Sequence, residues 1–575
     1  MTRKSVRLFA VSLFAIALAT SAFAGSNLWT YKNPSDIKWH KLSWNGNIIF
    51  GGDTLACIDA QSGQAIWTRP DLNGLTAYQV SEVEGSPYLL VTKNSMTGTK
   101  LSALNVETGK TFWETEKLKG ATIGVFPHPT KDLVLILTSG SQGQGKTTPD
   151  MIMLNLNDGN VVWEQKFADK VDLHQADQRS RWSPHYDLSG HQPPIFEGDA
   201  IYFTYGGAHR YDVNTGKMAW AVPYDVTEGR LKRANAQAVI DGDLIYTSAK
   251  GQLRAVDKNT GIVKWISKDY GAGIAEMQMR GNIIYGRMGG TFFDDKKNEW
   301  DLKKPLGIVA ISTSDGQPTW RYDKMKDSIT NILMLDEQKT ILIADKDEVV
   351  GLSTNGQEAF RQPINFKHKA GGGEKAMKVA RFGLGGLKGG LKGMSDDKKM
   401  DDVPVNITMM PGGLAVVRGK QHVIGFDPSG HQVTFANAYE APGFAGWQKF
   451  AMISMTAMSY TMNTAGAAST SFGSSSNTMY NNSRQGDLSR MSSAMSKRFS
   501  STKAAGKYVY MLTQVEEGKD KGAGLVAVEL ANGELAGQVL LRDKEPDYVV
   551  DELNGQLYNL RGNSIEAYSI RTTVR

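Results

Sequence analysis

A nine-residue turn pattern recurs along this 575-residue chain and constrains its fold more than any other feature. The copies are DAQSGQAIW from Asp59, NVETGKTFW from Asn105, NLNDGNVVW from Asn155, DVNTGKMAW from Asp212, DKNTGIVKW from Asp257 and STSDGQPTW from Ser312. Each copy ends in Gly-x-x-x-Trp, whereas 61 glycines and 12 tryptophans would place about one such pair by chance. The pattern therefore marks an internal repeat.

The residues between the turns predict the structure of one repeat. The unit around Gly261 reads AQAVI, DGDLIYTSAKG, QLRAVDKNTG and IVKWISKD. Short runs rich in Val, Ile, Tyr and Trp, separated by Gly, Asn and Asp, predict four antiparallel strands. Most turn glycines are 40 to 57 residues apart. Four strands at this spacing are typical of a β-propeller blade.

Ten candidate units can be counted along the chain. Weaker markers follow at Gly356, Gly430 and Gly533, and a last unit, GQLYNLRGNSIEAYSI, lacks its outer strand. Residues 27–32, NLWTYK, supply that strand from the other end of the chain. The sequence therefore predicts an all-β fold, a single propeller of eight to ten four-stranded antiparallel blades, closed by its N- and C-terminal strands. Eight blades would result if two weak C-terminal units were insertions.

The repeated glycine and tryptophan have structural explanations. The glycine supplies the positive φ that a tight hairpin needs. The tryptophan lies on the outermost strand of each blade, where a flat ring covers the gap to the next blade. The predicted turn glycines are Gly63, Gly109, Gly159, Gly216, Gly261 and Gly316, and the predicted blade-docking residues are Trp67, Trp113, Trp163, Trp220, Trp265 and Trp320.

Residues 1–24 have the composition of a secretory signal peptide. Three basic residues precede an apolar run from Leu8 to Ala19, and small residues follow at positions 22–24. We therefore expect a periplasmic or secreted protein that is soluble after cleavage, with the propeller in residues 25–575. No later run of 18 apolar residues predicts a transmembrane segment.

Composition argues against several functional classes. The chain has 65 Lys and Arg against 59 Asp and Glu, and three of the basic residues lie in the leader, so the charge balance gives no reason to expect nucleic acid as a partner. The single cysteine, Cys57, excludes an intramolecular disulfide and a Cys-rich zinc or haem motif. Cys57 lies between apolar neighbours and is expected to be a buried, inert thiol.

The unit D-x-x-T-G-x-x-x-W, as in Asp212 to Trp220 and Asp257 to Trp265, resembles the repeat of the pyrroloquinoline-quinone-like propellers. That superfamily contains quinoprotein alcohol and glucose dehydrogenases and also the non-catalytic outer-membrane-assembly factor BamB. The resemblance covers nearly the whole chain but fades after Phe360. The enzymes use two adjacent cysteines and a Ca²⁺ site beside the quinone, and neither is matched here. The resemblance is therefore nearest to the BamB-like branch, although the chain lacks a lipid-anchor cysteine and is longer.

Three links between blades are enlarged, at about 169–194, 363–402 and 441–503. In the first, His174, His185 and His191 with Asp177 and Asp187 are metal-ligand types, but their spacing matches no motif and a packed polar loop is favoured. The Ser-, Thr- and Asn-rich part of the third is expected to be largely disordered.

The second and third links carry the apolar residues that we expect to contact a partner. These are Phe382, Leu384, Leu387, Met452, Met455 and Met458. The second link is read chiefly as a flexible solvated loop, because its glycines oppose a stable helix. The methionines, with Met462, also suit Cu(I), although a packing or partner surface explains their helical spacing better.

The sequence thus predicts a non-catalytic, exported scaffold that binds proteins in the bacterial cell envelope. A role in outer-membrane protein assembly is what the resemblance to BamB implies. A quinone-dependent oxidoreductase and a periplasmic copper-binding module are the alternatives. No residue is assigned as catalytic, cofactor-binding or metal-binding, no cofactor is expected, and the envelope partner and oligomeric state are not specified.

Overall fold

The computed structural model describes residues 27 to 570 with three long gaps, at 176–185, 367–403 and 440–507. Short gaps fall at 84–85, 96–97, 141–144, 227–230, 298, 365, 405, 411, 420, 518–519, 544–545 and 552–553. The described residues form antiparallel sheets, one 3₁₀ turn at Ala77–Gln79 and no helix with the length and apolarity to cross a membrane.

The first three sheets, or blades, contain the first three repeats. Blade 1 consists of β2 (Ile37–Leu42), β3 (Ile48–Gly52), β4 (Leu55–Ile58) and β5 (Ala65–Arg69). Blade 2 consists of β6 (Val80–Glu82), β7 (Tyr88–Ser95), β8 (Gly98–Asn105) and β9 (Thr111–Glu114). Blade 3 consists of β10 (Ala121–Pro127), β11 (Leu133–Ser139), β13 (Asp150–Asn155) and β14 (Val161–Lys166).

The next four blades follow the same order. Blade 4 consists of β17 (Ile195–Glu197), β18 (Ala200–Phe203), β19 (Gly207–Asp212) and β20 (Met218–Pro223). Blade 5 consists of β21 (Val239–Asp241), β22 (Leu244–Ala249), β23 (Gln252–Asp257) and β24 (Val263–Ile266). Blade 6 consists of β25 (Ile274–Arg280), β26 (Ile283–Asp294), β27 (Glu299–Ser312) and β28 (Pro318–Met325). Blade 7 consists of β29 (Leu333–Leu335), β30 (Thr340–Ala344), β31 (Glu348–Ser353) and β32 (Glu358–Pro363).

The last three blades include the two weakly marked units. Blade 8 consists of β33 (Asn406–Met409), β34 (Ala415–Arg418), β35 (His422–Asp427) and β36 (Gln432–Ala438). Blade 9 consists of β37 (Tyr508–Glu517), β38 (Asp520–Glu529) and β39 (Leu535–Leu540). Blade 10 consists of β40 (Asp547–Asp551), β41 (Gln556–Arg561), β42 (Ser564–Ser569) and β1 (Asn27–Lys32). Both weak units are therefore sheets, and the eight-blade alternative is wrong.

The pattern of burial within a blade follows from its position between two neighbours. Every residue of β3 and β4 is buried, whereas β5 buries only Trp67. A blade packs both of its faces against other blades, so its central strands are apolar on both sides and only its outer edge is polar. The described residues of blade 9 form three strands, and residues 440–507, which precede them, lie outside the described part of the chain.

Hydrophobic clusters join each blade to the next, and one cluster joins the last blade to the first. In that closing cluster Ile48 and Phe50 of blade 1 pack with Tyr558 and Ile565 of blade 10. The clusters that join successive blades repeat the same arrangement from blade 1 to blade 10. The strand predicted at residues 27–32 pairs with β42 and is the outer strand of blade 10.

Candidate functional site

The turn before each outer strand is built by its first residue. In blade 5 the Asp257 carboxylate accepts the N–H groups of Asn259 at 3.1 Å and Thr260 at 3.0 Å. The Gly261 N–H donates to the Asp257 carbonyl at 2.8 Å, with a Gly261 φ of +75°. Hydrogen bonds from Thr260 lower the pKa of Asp257 to about 2. This side-chain-to-backbone turn explains why the repeat begins with Asp or Asn.

The repeated tryptophans make what we call docking contacts with the following blade. The Trp67 indole N–H donates to the Val106 carbonyl of blade 2 at 3.0 Å, and a Cβ on Gly109 would lie 2.6 Å from its ring. The other indole N–H groups donate to Leu156 from Trp113 (2.7 Å), Val213 from Trp163 (2.7 Å), Lys258 from Trp220 (3.0 Å), Thr313 from Trp265 (2.8 Å) and Thr354 from Trp320 (2.9 Å). Their rings lie against Gly159, Gly216, Gly261, Gly316 and Gly356.

A seventh tryptophan, Trp29, makes the same contact and was not identified from the sequence. Its indole N–H donates to the Ala60 carbonyl at 3.2 Å, and a Cβ on Gly63 would lie 2.6 Å from its ring. A signal was present, because Gly63 is the first turn glycine and no tryptophan-bearing repeat precedes it. Blades 7 and 8 use phenylalanine instead: Phe360 stacks on His431 with ring centroids 4.0 Å apart, and Phe435 lies against Gly533.

Two kinds of connection leave the same face of the sheets, because neighbouring strands alternate in direction. One is the link from an outer strand to the next inner strand, and the other is the hairpin between the second and third strands of a blade. We call this side the insert face. The links that join blade 3 to blade 4 and blade 7 to blade 8 begin and end on this face, as does the long β26–β27 hairpin. The first of these links is the best described.

The link between blades 3 and 4 forms a small sheet on the insert face. Its strands are β12 (Gly145–Thr147), which is part of the blade 3 hairpin, β15 (Val171–Gln175) and β16 (Tyr186–Asp187). Lys146 pairs with Asp172, and His174 pairs with Asp187. The β12–β15 pairing therefore joins the start of the insertion to the blade 3 hairpin, and near its other end the Leu188 N–H donates to the Ile123 carbonyl of β10 at 3.3 Å.

A buried group of three charged or titratable side chains, which we call the clasp, joins this link to blade 6. His174 Nδ1 lies 2.8 Å from Asp295 Oδ2, and Lys232 Nζ lies 3.3 Å from Asp295 Oδ1. The second contact has an ion-pair distance without hydrogen-bond alignment, since Oδ1 has no hydrogen-bond partner. The side chains of Asp295 and His174 are 1% and 3% exposed.

Backbone contacts reinforce the clasp. The Gln175 N–H donates to Asp295 Oδ2 at 3.2 Å, and the Lys232 N–H donates to the Phe293 carbonyl at 3.0 Å. Lys232 Nζ also donates to the Gln175 carbonyl. The clasp thus fixes the β26–β27 hairpin to two separate links on the insert face.

A cavity of about 460 Å³ opens beside the clasp, where the insertion meets blade 4. It is lined by Lys146, Asp169, Lys170, Asp172, His191, Gly206, Pro223, Tyr224, Asp225 and Val226. His191 Nε2 donates to the Asp172 carbonyl at 2.7 Å, and the His191 ring lies 5.0 Å from that of His174. Burial lowers the pKa of His191 to about 3, so its ring is neutral near neutral pH.

The structure brings together only part of the metal-ligand set considered from sequence. The rings of His174 and His191 are neighbours, but they are hydrogen-bonded to Asp295 and to the Asp172 carbonyl, respectively. His185 and Asp177 lie outside the described residues. Within the described ranges no three His, Cys, Asp or Glu side chains are grouped to hold a metal ion. Cys57 is buried in β4, and burial raises the pKa of its thiol.

The residues predicted to contact a partner cannot be placed. Phe382, Leu384, Leu387, Met452, Met455 and Met458 all lie outside the described residues, as do Met462 and the leader 1–24. Partner contact and copper binding at these positions therefore stay predictions.

The fold and the docking contacts define a tryptophan-docked β-propeller. A family profile described as outer membrane protein assembly factor BamB matches residues 51–173 and 150–331, which include the two outer strands of blade 1 and all of blades 2 to 6. Residues 51–331 thus belong to the pyrroloquinoline-quinone-like β-propeller repeat family.

Two curated relatives are similar to part of the chain. An uncharacterised protein of Rickettsia conorii is 25% identical over 247 residues, which are 42% of this chain and 54% of the relative. Subunit 1 of the methanol dehydrogenase [cytochrome c] of Methylorubrum extorquens is 32% identical over 142 residues, which are 23% of this chain and 22% of the relative. The chain therefore matches about half the length of the first relative and about a fifth of the second.

Three solved structures are among those similar to this chain. BamB of Moraxella catarrhalis has 14% identity and a TM-score of 0.34, over 69% of this chain and 97% of that protein. The computationally designed Ika8 protein has 11% identity and a TM-score of 0.33, over 69% and 96%. The dihydro-heme d1 dehydrogenase NirN, in complex with DHE, has 13% identity and a TM-score of 0.33, over 58% and 67%.

Proposed function

We propose that this chain is a non-catalytic propeller scaffold of the bacterial cell envelope, which holds other proteins against its insert face. The clasp is the observation that carries the proposal. Rigid frameworks that present variable connections are a common design for binding surfaces. Here a buried carboxylate, Asp295, fixes a hairpin of blade 6 to the links on either side of blade 4, so the connections are held on one platform.

The family match supports the same proposal. The matching profile is described as an outer-membrane protein assembly factor, and it covers the blades that carry the platform's first link. The predicted leader at residues 1–24 supports export to the same compartment. A partner would meet the exposed lysines Lys296 and Lys297 of the β26–β27 hairpin, and Phe382 and Met455 are the further contacts predicted from the sequence.

Photo-crosslinking in the native envelope tests this proposal. A photoreactive residue is placed at Lys296 on the insert face, at the predicted contact residues Phe382 and Met455, and at Lys217 or Asn259 in outer-strand turns on the opposite face. Lys296 and Lys217 are both exposed lysines, so they form a matched pair. We expect discrete crosslinked partners from the insert face and none from the opposite face.

Two results would contradict the scaffold proposal. One is the absence of crosslinks from Lys296, Phe382 and Met455, when mass spectrometry shows that the probe is incorporated at each. The other is the same partners from both faces at equal yield, which is what collision without a binding surface would produce.

A quinone-dependent oxidoreductase is the second candidate, favoured by the similarity to a methanol dehydrogenase subunit. The described residues fit the cofactor poorly, because they contain no group of three or more His, Cys, Asp or Glu side chains that could hold Ca²⁺, and the chain has one cysteine, which is buried. The test is to add pyrroloquinoline quinone and Ca²⁺ to the purified protein and follow alcohol-dependent dye reduction. We expect no turnover above that of the free quinone; saturable turnover would replace the scaffold proposal.

A further inference from the structure

The cavity on the insert face contains charges of both signs that the protein leaves unneutralised. Lys146 and Asp172 are register partners on β12 and β15, and both side chains line the cavity. Cross-strand neighbours of opposite charge commonly pair. Within the described part of the chain, however, neither side chain forms an ion pair, so each charge is available to a ligand.

Asp169 and Lys170, which are neighbours in the sequence, give the cavity a second carboxylate and a second ammonium group. Lys170 forms no ion pair with any described residue, and the Asp169 carboxylate accepts the backbone N–H of Lys170 at 2.7 Å. Asp225 is different, because its carboxylate is paired with Lys250 at 2.5 Å. The cavity therefore offers two ammonium groups and two carboxylates, with no net charge among these four.

The remaining walls are neutral. His191 is held by its bond to the Asp172 carbonyl, and the Tyr224 hydroxyl donates to Thr247 Oγ1 at 2.8 Å. Val226 is buried and adds an apolar surface. Ligand cavities combine such apolar walls with a few convergent polar groups, and this volume lies at the small end of their usual range of roughly 300–1,000 Å³.

We propose that this cavity binds a small zwitterionic ligand, namely a short peptide of two or three residues with both ends free. The ammonium end pairs with Asp172 or Asp169, the carboxylate end pairs with Lys146 or Lys170, and the peptide body packs against Tyr224 and Val226. Charge-assisted hydrogen bonds at both ends are stronger than neutral ones and set the orientation. This inference goes beyond the scaffold proposal and does not depend on it.

Isothermal titration calorimetry with trialanine tests the inference at low ionic strength. Three probes are compared: trialanine with free ends, N-acetyl-trialanine, which lacks the ammonium group, and trialanine amide, which lacks the carboxylate. We expect saturable binding of the free peptide and at least tenfold weaker binding of each capped form. The acetyl cap leaves the cavity carboxylates without a cation, and the amide cap leaves the cavity lysines without an anion.

Variants assign the two ends. Lys146→Gln is expected to weaken trialanine at least fivefold and to remove most of the difference between the free peptide and the amide. Asp172→Asn is likewise expected to weaken trialanine at least fivefold and to remove most of the difference between the free peptide and the acetylated peptide. Lys217→Gln, an exposed lysine of the opposite face without an ion pair among the described residues, is the matched control and should bind like the parent protein.

Three outcomes would overturn the inference: no saturable binding of trialanine, equal binding of the capped and free peptides, or unchanged affinity in both cavity variants. Tight binding of the acetylated peptide alone would identify an anion site at the lysines and would also reject the zwitterionic ligand. Circular dichroism spectra that match those of the parent protein would show that each variant is folded, so that a loss of affinity is local. The Asp172→Asn variant also keeps the hydrogen bond from His191, because the acceptor is the backbone carbonyl of residue 172.

Discussion

Replacing Gly216 by alanine tests the docking contact most directly, because two separate penalties can be assigned to the new methyl group. Gly216 has a φ of +67°, and an alanine Cβ there would lie 2.4 Å from Trp163 Cε3. A left-handed backbone costs a non-glycine residue about 1–2 kcal/mol. Forcing an extra methyl group into a packed interface costs about 1–3 kcal/mol more. We therefore expect Gly216→Ala to lower the free energy of unfolding by about 2–5 kcal/mol.

Gly242→Ala separates the two penalties. Gly242 has a φ of +53°, but nothing lies within 4 Å of its added Cβ. This control should cost only the backbone penalty of about 1–2 kcal/mol. Trp163→Ala should itself cost about 3–5 kcal/mol, and in its background the methyl group on residue 216 has no ring to displace. The second substitution then costs about 1–2 kcal/mol, the backbone part alone.

Urea denaturation followed by circular dichroism gives each free energy by linear extrapolation. The double-mutant cycle should show a coupling of about 1–3 kcal/mol, equal to the steric part of the contact. The reasoning is refuted if Gly216→Ala costs no more than Gly242→Ala. It is also refuted if the cost of Gly216→Ala is the same with and without the Trp163 ring.

Three further predictions concern pH, the clasp and closure. Burial lowers the pKa of His128 to about 4, whereas an unfolded histidine takes up its proton near about 6.5. The unfolded state therefore binds more protons in this range, so the free energy of unfolding should fall as the pH drops from about 6.5 to 4, with a smaller slope in His128→Asn. Asp295→Asn, which leaves Lys232 without its buried counter-charge, should cost about 3–5 kcal/mol and speed hydrogen exchange in β15 and the β26–β27 hairpin. Trp29→Ala should destabilise the protein by about 3–5 kcal/mol, as much as Trp67→Ala.

Each of these has a contrary result. An unchanged pH slope in His128→Asn would show that this ring, whose Nδ1 accepts the N–H groups of Thr130 and Lys131, is not the group being protonated. Exchange in β15 that stays slow in Asp295→Asn would show that the clasp holds nothing in place. A neutral Trp29→Ala variant would mean that β1 is held to blade 10 alone and that the contact with blade 1 adds no stability.

The blades could be predicted because their signals are local. Asp257 and Gly261 are four residues apart and build a turn with their own hydrogen bonds, so the repeat is visible wherever that turn recurs. Trp29 was not predicted because it follows no turn glycine in the sequence: its strand, β1, joins blade 10 from the other end of the chain. The clasp escaped for a related reason: His174 and Asp295 are 121 residues apart, and neither is unusual in its local sequence.

The candidate sites were hard to predict because their residues become neighbours only in the folded chain. Sequence reasoning grouped the histidines of the first insertion by proximity, but their rings are occupied by Asp295 and by the Asp172 carbonyl. The cavity arises from Lys146 on one hairpin and Asp172 on the following link, which become neighbours only through the pairing of β12 with β15. Register is only weakly specified in short polar strands such as β12, Gly145–Thr147, so the local sequence does not identify this pair.

Blade 10 is built from both ends of the chain, which determines when its sheet can form. Asn33 and Asn563 are hydrogen-bonded across a separation of 530 residues. Contacts of such sequence separation form late, because the chain entropy lost in closing the ring is recovered only when the final strands pair. During synthesis β1 therefore has no partner until β42 is made, and a chain interrupted anywhere before residue 564 keeps an unpaired edge at each end. Completion of the ring thus distinguishes a finished molecule from a truncated one, which unpaired strand edges expose to aggregation and proteolysis.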